Sequence, residues 1–191
     1  MTNDPVSAGE VRFFSGNSNP KLAESIAAKL GVPLDETKIT RFSNDNMYIQ
    51  LGASVRYRRV YIVQSLSQPV NDHLMELLMM IDIARGAAAS EIHAIIPYFS
   101  FGRSDKKDAP RISITARLVA DLLQTAGANR IITMDLHAPQ IVGFSRIPVD
   151  QLLIKHTMCN YIQDKKLASY VIAAPDVGSA KRAEGFARRL E

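Results

Sequence analysis

Short apolar runs alternate along the chain with longer segments in which apolar residues recur every three to four positions. The short runs are typical of buried strands, and the longer spacing is typical of helices that bury one face. The pattern predicts strands at Val11–Ser15, Ile39–Phe42, Met47–Leu51, Val60–Gln64, Ile92–Pro97, Arg130–Met134 and Tyr170–Ala174. It predicts helices at Asp72–Arg85, Leu152–Gln163 and Ala180–Leu190.

Local signals mark the ends of two further helices. In the first, Asn19 is the predicted N-cap, Pro20 occupies the first helical position and Gly31 stops the helix. In the second, Ser113 is the predicted cap of a helix that ends at Gly127.

The repeated order of strand and then helix predicts an α/β fold with a mainly parallel sheet covered by helices on both faces. Loop character rises at Gly143–Asp150, which predicts a domain of residues 1–150 followed by the opening of a second domain at residues 151–191. Because one strand and one helix cannot close a core, we expect this second part to be truncated at Glu191 or completed by a partner.

Composition and sequence features predict the cellular location of this protein. The chain has 191 residues, 47% of them hydrophobic and 22% charged, as in ordinary globular domains. Its lone Cys159, the lack of an apolar run long enough to span a membrane and the lack of a secretory signal in Met1–Glu10 predict a cytoplasmic protein without membrane contact. The net charge of +4 is scattered, so no nucleic-acid partner is expected.

In a parallel sheet, ligands bind beyond the carboxyl ends of the strands, and polar loops follow three strand ends here. After Ile96 comes a loop of about fifteen residues, a length that favours function. Its cations suit phosphates and one of its two phenylalanines suits a base. The alternative is a solvated loop whose aromatic side chains enter the core. The residues concerned are Arg103, Lys106, Lys107, Arg111, Phe99 and Phe101.

The other two strand ends carry a histidine and an aspartate. His137 follows Met134 and is a candidate for a metal or phosphate contact, with a structural role as the alternative; His73, His93 and His156 are interpreted as structural. Asp176 follows Ala174 and is a candidate ligand for a magnesium ion bridging phosphates, with an ordinary helix cap as the alternative. Phosphate-loop, dinucleotide-binding and zinc motifs are absent from the sequence.

Several segments together resemble the ribose-phosphate pyrophosphokinase (phosphoribosyl-diphosphate synthetase) family over essentially the whole chain. They are Asn71–Leu78, Arg103–Lys107, Leu118–Leu123, Met134–Ala138 and the stretch Asp135–Asp150 with Gln140, Gly143, Pro148 and Asp150 in place. The resemblance implies two domains of the type I phosphoribosyltransferase fold, of which this chain would be the first domain and the opening of the second.

The resemblance also implies an activity: transfer of the diphosphate group of Mg–ATP to the 1-hydroxyl of ribose 5-phosphate, with Mg²⁺ as cofactor and ATP as substrate. It implies a homo-oligomer, a dimer building a hexamer, in which one subunit's hairpin turn enters a neighbour's site. The residues implied are Phe42 stacking on adenine, Asn44, Asp45 and Asn46 facing the base, Arg103 and Ser104 contacting ATP, His137 as the catalytic residue and metal contact, Asp176 at the metal, and Ser54 and Arg56 in an allosteric site.

The sequence departs from the family pattern at several of these positions. Asn46 replaces a glutamate, Ser104 a glutamine and Val142 a glutamine, and Ser145 replaces a phenylalanine. The family's catalytic lysine–arginine loop and ribose-5-phosphate loop would follow Glu191, so the chain as given is expected to bind nucleotide without catalysing transfer. Because of the substitutions at Asn46 and Ser104, a non-catalytic regulatory homologue that assembles with an active synthetase is the alternative function.

Overall fold

A five-stranded parallel sheet forms the centre of the first of two units in this computed structural model, which describes residues 10–167 and 169–190. The order across the sheet is β1-β4-β5-β6-β7, and every neighbouring pair is parallel. A separate antiparallel hairpin is made of β2 and β3. The strands are β1 (Val11–Ser15), β2 (Thr37–Arg41), β3 (Met47–Leu51), β4 (Arg59–Val63), β5 (Glu91–Ile96), β6 (Arg130–Met134) and β7 (Val149–Leu152).

Helices cover both faces of this sheet. Phe13 and Val63 pack with Ala23 and Ala27 of the first helix, which covers one face. The larger core lies on the other face, where alternate residues of β4 and β5 such as Ile62 meet the second and third helices. The helices of this unit are α1 (Pro20–Leu30), α2 (Val70–Gly86), α3 (Thr115–Ala126) and a 3-10 helix at Pro139–Phe144.

The second unit, Leu153–Glu191, contains α4 (Lys155–Asp164), a 3-10 helix (Val177–Ser179) and α5 (Ala180–Leu190). The units divide two residues after the boundary expected from the loop character, and the identity of the second as an opening domain stays a prediction. The expected absence of a signal in Met1–Glu10 falls almost wholly outside the described residues. Across residues 10–167 and 169–190, no helix combines the length and the apolar character needed to cross a membrane.

The predicted ends of α1 are confirmed. The Asn19 side chain accepts a hydrogen bond from the Leu22 N–H at 3.2 Å, Pro20 begins the helix, and Gly31 ends it with φ of 65°. Only glycine adopts this left-handed conformation without strain, so the helix stops where its sequence indicates.

Two predictions about the end of the first unit need correction. Residues 145–148 carry no helix or strand, as expected, but a 3-10 helix (Pro139–Phe144) and β7 occupy the two ends of the predicted loop. The helix expected from Leu152 begins at Lys155. β7 is an edge strand of four residues paired only with β6, and its existence depends on that pairing. The apolar run Leu152-Leu153-Ile154 resembles a first helical turn, which concealed the strand end.

The strand predicted at Tyr170–Ala174 is also absent, since these residues carry no regular secondary structure. Among the described residues of the second unit no strand is present to pair with this segment. The side chain of Val171 is 89% exposed. Apolar content therefore indicated a strand, but a strand needs a hydrogen-bonding neighbour.

Candidate functional site

The loop after β5 begins as part of the core and then turns outward. The Leu66 N–H donates to the Tyr98 carbonyl at 2.9 Å, and the Ser100 hydroxyl donates to the Leu66 carbonyl. Phe99 is buried, as in the alternative interpretation of the loop aromatics, whereas Phe101 is 37% exposed with φ of 61°. Phe101 is thus the loop phenylalanine with a free face.

Ser104 closes the base of this loop. Its hydroxyl donates to the Ser113 carbonyl at 2.9 Å and accepts from the Thr115 N–H at 3.2 Å. The Ser104 carbonyl accepts from the Ala116 N–H at 3.2 Å. Ser104 therefore supplies the acceptors for the first N–H groups of α3, and the prediction that the Ser113 side chain caps this helix was wrong.

The cations of the loop are exposed, so they are available to an anion. Arg103 lies immediately before the closed base, Lys106 and Lys107 lie within the loop, and Arg111 lies near its end with φ of 63°. The structure thus presents one stretch of positive charge beyond the carboxyl end of β5.

The turn after β6 lies directly beside this loop. A Cβ placed on Gly102 would lie 3.6 Å from the Cβ of His137. Gln140 Nε2 donates to Asp105 Oδ2 at 2.5 Å, a second contact between the two segments. His137 itself is exposed between the buried Leu136 and Ala138, an arrangement that directs its imidazole away from the core. The loop that carries Arg103 is therefore in contact with the turn that carries His137.

The hairpin turn is linked to the first turn of α2 by Arg41, whose Nη2 lies 2.7 Å from Asp72 Oδ2. Phe42 is 53% exposed and 6.4 Å from Tyr48 between ring centroids, and Asn44, Asp45 and Asn46 are all exposed. The turn is therefore accessible to solvent, and its contact with a base or with a neighbouring subunit stays a prediction. The hydrogen bond to Asp45, followed by the charge of Asp72, raises the pKa of Arg41 above its ordinary value.

Asp176 belongs to the second unit, where it caps a helix. Its Oδ1 accepts from the Ser179 N–H at 2.8 Å, at the start of the 3-10 helix that leads into α5. The geometry is therefore that of the alternative interpretation, an N-cap, although the carboxylate is exposed. Its position relative to His137 stays a prediction.

The other histidines behave as structural residues in the first unit. His73 Nδ1 lies 2.9 Å from the Ser67 carbonyl oxygen. The ring of His93 stacks on Tyr61 with 4.5 Å between ring centroids, and its Nε2 lies 3.0 Å from Glu91 Oε2. Both are buried.

Magnesium fits part of the predicted ligand set. The described residues contain no group of three or more histidine, cysteine or acidic side chains placed to hold a metal. Mg²⁺ in phosphate-transfer sites is usually bound by one or two carboxylates together with substrate phosphates, so an exposed Asp176 carboxylate suits it. An imidazole is a poorer ligand for this ion, which makes His137 better suited to a phosphate oxygen.

A buried polar network at the carboxyl ends of β1 and β4 was missed in the sequence. Glu76 of α2 accepts from the Asn17 N–H at 2.5 Å and from Gln64 Nε2 at 2.9 Å, and the Ser18 N–H donates to Gln64 Oε1 at 3.1 Å. The sequence feature that could have revealed this network is an acidic residue, Glu76, on the apolar face of a predicted helix. Its partner Asn17 is 59 residues away, so no local pattern pairs them.

A family model described as the N-terminal domain of ribose phosphate pyrophosphokinase matches residues 11–127, more than half of the chain. The chain belongs to the ribose-phosphate pyrophosphokinase family. The predicted resemblance is thereby confirmed, and the matched region contains the hairpin turn and the Arg103 loop.

Relatives extend the match to almost the whole chain. The ribose-phosphate pyrophosphokinase of Wolinella succinogenes is 50% identical over 94% of this chain and 58% of its own length. Ribose-phosphate pyrophosphokinase 2 of Schizosaccharomyces pombe is 47% identical over 97% of this chain and 59% of its own length. The chain therefore spans less than two thirds of these ribose-phosphate pyrophosphokinases.

The fold agrees with a solved member of the family. The crystal structure of phosphoribosylpyrophosphate synthetase from Mycobacterium smegmatis superposes with a TM-score of 0.91 at 38% identity, over 95% of this chain and 61% of that one. The predicted α/β fold of the phosphoribosyltransferase type, with a mainly parallel sheet flanked by helices, is confirmed.

Proposed function

We propose that this chain forms the ATP-binding part of a ribose-phosphate diphosphokinase. In the reaction, the 1-hydroxyl oxygen of ribose 5-phosphate bonds to the β-phosphorus of ATP and releases its proton to solvent. The bond from that phosphorus to the oxygen bridging the α- and β-phosphates breaks, and AMP leaves with the bridging oxygen. The observation that carries the proposal is the contact between the cationic loop after β5 and the turn of His137.

Catalysis of this kind depends on positioning and on neutralising phosphate charge, not on a protein nucleophile. Arg103 offers a planar fork of N–H donors for phosphate oxygens, and Lys106 and Lys107 add mobile positive charge. By this proposal, the outward-facing imidazole of His137 beside the loop donates a hydrogen bond to a phosphate oxygen. Mg²⁺, when bound, supplies further charge neutralisation, with the Asp176 carboxylate as the fitting ligand.

Calorimetric titration with Mg–ATP tests the binding step. Arg103→Ala and His137→Ala are each expected to weaken binding by roughly tenfold or more, because each removes a charge-assisted or polar contact to phosphate. Arg188→Ala is the matched control, since Arg188 is an exposed arginine of α5 paired with Glu184. Unchanged Mg–ATP affinity in both Arg103→Ala and His137→Ala would contradict the proposed binding site.

The chain spans 58% of the length of the Wolinella succinogenes enzyme, so a hybrid with that enzyme tests the transfer step. A hybrid that continues from Glu191 into the remaining part of the Wolinella succinogenes enzyme is expected to form AMP from ATP and ribose 5-phosphate. Arg103→Ala in this hybrid should slow AMP formation, while Arg188→Ala should not.

A regulatory homologue is the second candidate, and Ser104 favours it. Where the family has a glutamine, this chain has a serine whose hydroxyl is engaged at the loop base with Ser113 and Thr115. A hybrid that is folded and binds Mg–ATP but forms no AMP, and a chain that co-purifies with an active synthetase and changes its rate, would support this candidate instead.

A further inference from the structure

We propose that Arg41 is a positioning residue that holds the base-binding turn Phe42–Asn46 in place by bridging Asp45 and Asp72. This inference rests on the proposed function, because it concerns how the turn would present itself to the adenine of ATP. It assigns a role to two residues, Arg41 and Asp72, that lie outside the predicted binding set.

The guanidinium of Arg41 uses two nitrogens for two different segments. Nη1 lies 2.8 Å from Asp45 Oδ1 and 3.4 Å from the Asp45 carbonyl oxygen, so it holds the turn. Nη2 lies 2.7 Å from Asp72 Oδ2 in the first turn of α2. A guanidinium is a rigid planar fork, so fixing one nitrogen on α2 also fixes the direction of the other.

The turn has internal hydrogen bonds, but these set its shape and not its placement. The Phe42 N–H donates to the Asn46 carbonyl at 2.9 Å, and the Asp45 N–H donates to the Phe42 carbonyl at 2.9 Å. The Asn46 N–H donates to Asn44 Oδ1 at 3.2 Å. The β2–β3 ladder ends at the pair Arg41–Met47, so the turn projects beyond it and the ion pair with Asp72 ties the projecting end to a helix.

The position of Asp72 in this contact is fixed by α2. Asp72 lies in the first turn of α2, where an acidic side chain interacts favourably with the helix dipole. The body of α2 is buried in the main core through Leu77, Met80 and Ile81. The position of Asp72 is therefore set by the core, and Arg41 transmits that position to the turn.

The same ion pairs would add little to overall stability. The side chains of Arg41, Asp72 and Asp45 are 40%, 43% and 83% exposed, and exposed pairs contribute little to the free energy of unfolding. A role in orientation therefore predicts a loss of base recognition without a loss of fold. A plain surface ion pair predicts no change in either.

The test compares Mg–ATP with Mg–tripolyphosphate, which has the phosphates but no base. Arg41→Gln and Asp72→Ala are each expected to weaken Mg–ATP binding by roughly fivefold. Their affinity for Mg–tripolyphosphate should match that of the unsubstituted chain, as should their thermal midpoints. Arg41→Lys should fall between, because an ammonium group cannot bridge both acids in a fixed direction.

Asp82→Ala is the matched control. Asp82 forms an exposed ion pair with Arg85 at 2.6 Å near the other end of α2. This variant should leave both affinities unchanged. An equal loss of Mg–ATP affinity in Asp82→Ala would mean that α2 responds to any charge removal, and the proposal would fall.

The remaining outcomes separate this inference from the proposed function. If the unsubstituted chain binds no Mg–ATP, both fall. If Arg103→Ala weakens binding while Arg41→Gln and Asp72→Ala do not, the inference alone falls. The inference also fails if Mg–ATP binds no more tightly than Mg–tripolyphosphate. It fails as well if Arg41→Gln changes the sedimentation velocity of the chain, since Arg41 would then be an interface residue.

Discussion

At the scale of single residues, the sharpest constraint is the absence of a side chain at Gly16. A Cβ there would lie 2.5 Å from Glu76 Oε1 and closer still to Gln64 Oε1. Glu76 and Gln64 are 2% and 0% exposed; Gln64 Nε2 donates to Glu76 Oε1, and Glu76 also accepts from the Asn17 N–H. A buried carboxylate is tolerated because N–H donors replace its water, so this network must remain intact.

Gly16→Ala is therefore expected to lower the free energy of unfolding by about 2–3 kcal/mol, through overpacking and the loss of buried hydrogen bonds. Gly86→Ala is the control, because nothing lies within 4 Å of a Cβ built on Gly86 at the end of α2. It should be neutral or stabilising by up to about 1 kcal/mol. Urea unfolding measures both, and equal values for the two variants would contradict the role given to the network.

At the scale of secondary structure elements, the loop after β5 and the start of α3 form one piece. Ser104 is eleven residues from Thr115 yet takes the position of its cap, so the ends of the cationic loop are joined. Ser113, the nearest serine in sequence, contributes its backbone carbonyl. The loop therefore leaves and returns at one point, which keeps Arg103 beside the turn of His137.

Ser104→Ala should cost about 1 kcal/mol, the usual effect of losing a side-chain cap. Ser113→Ala should change the free energy of unfolding by less than about 0.5 kcal/mol, as for an ordinary surface substitution. Urea denaturation followed by circular dichroism checks the pair. A larger loss in Ser113→Ala than in Ser104→Ala would restore Ser113 as the cap.

At the scale of the whole molecule, the two units differ in how much they bury. The first has a core built from both faces of the five-stranded sheet. In the second, Cys159 is the buried residue among those described, and α5 has none. The first unit thus carries the hairpin, the cationic loop and His137 on its own core.

We expect that the chain self-associates, since the family resemblance implies that the exposed turn with Phe42 enters the site of a neighbouring subunit. Light scattering at high protein concentration should give a mass above the 21.1 kDa of one chain. A clean monomer for the unsubstituted chain would count against the oligomer.

Local patterns in the chain were enough for the α/β class, the boundaries of α1 and the position of the cationic loop. Each of these depends on residues close together in sequence, such as Asn19, Pro20 and Gly31 around one helix. The tertiary structure determined the remaining features. β7 forms by pairing with β6, Ser104 replaces Ser113 as the cap of α3, and Arg41 contacts Asp72. These contacts join residues far apart in sequence, and neither periodicity nor propensity carries information about which distant groups will meet.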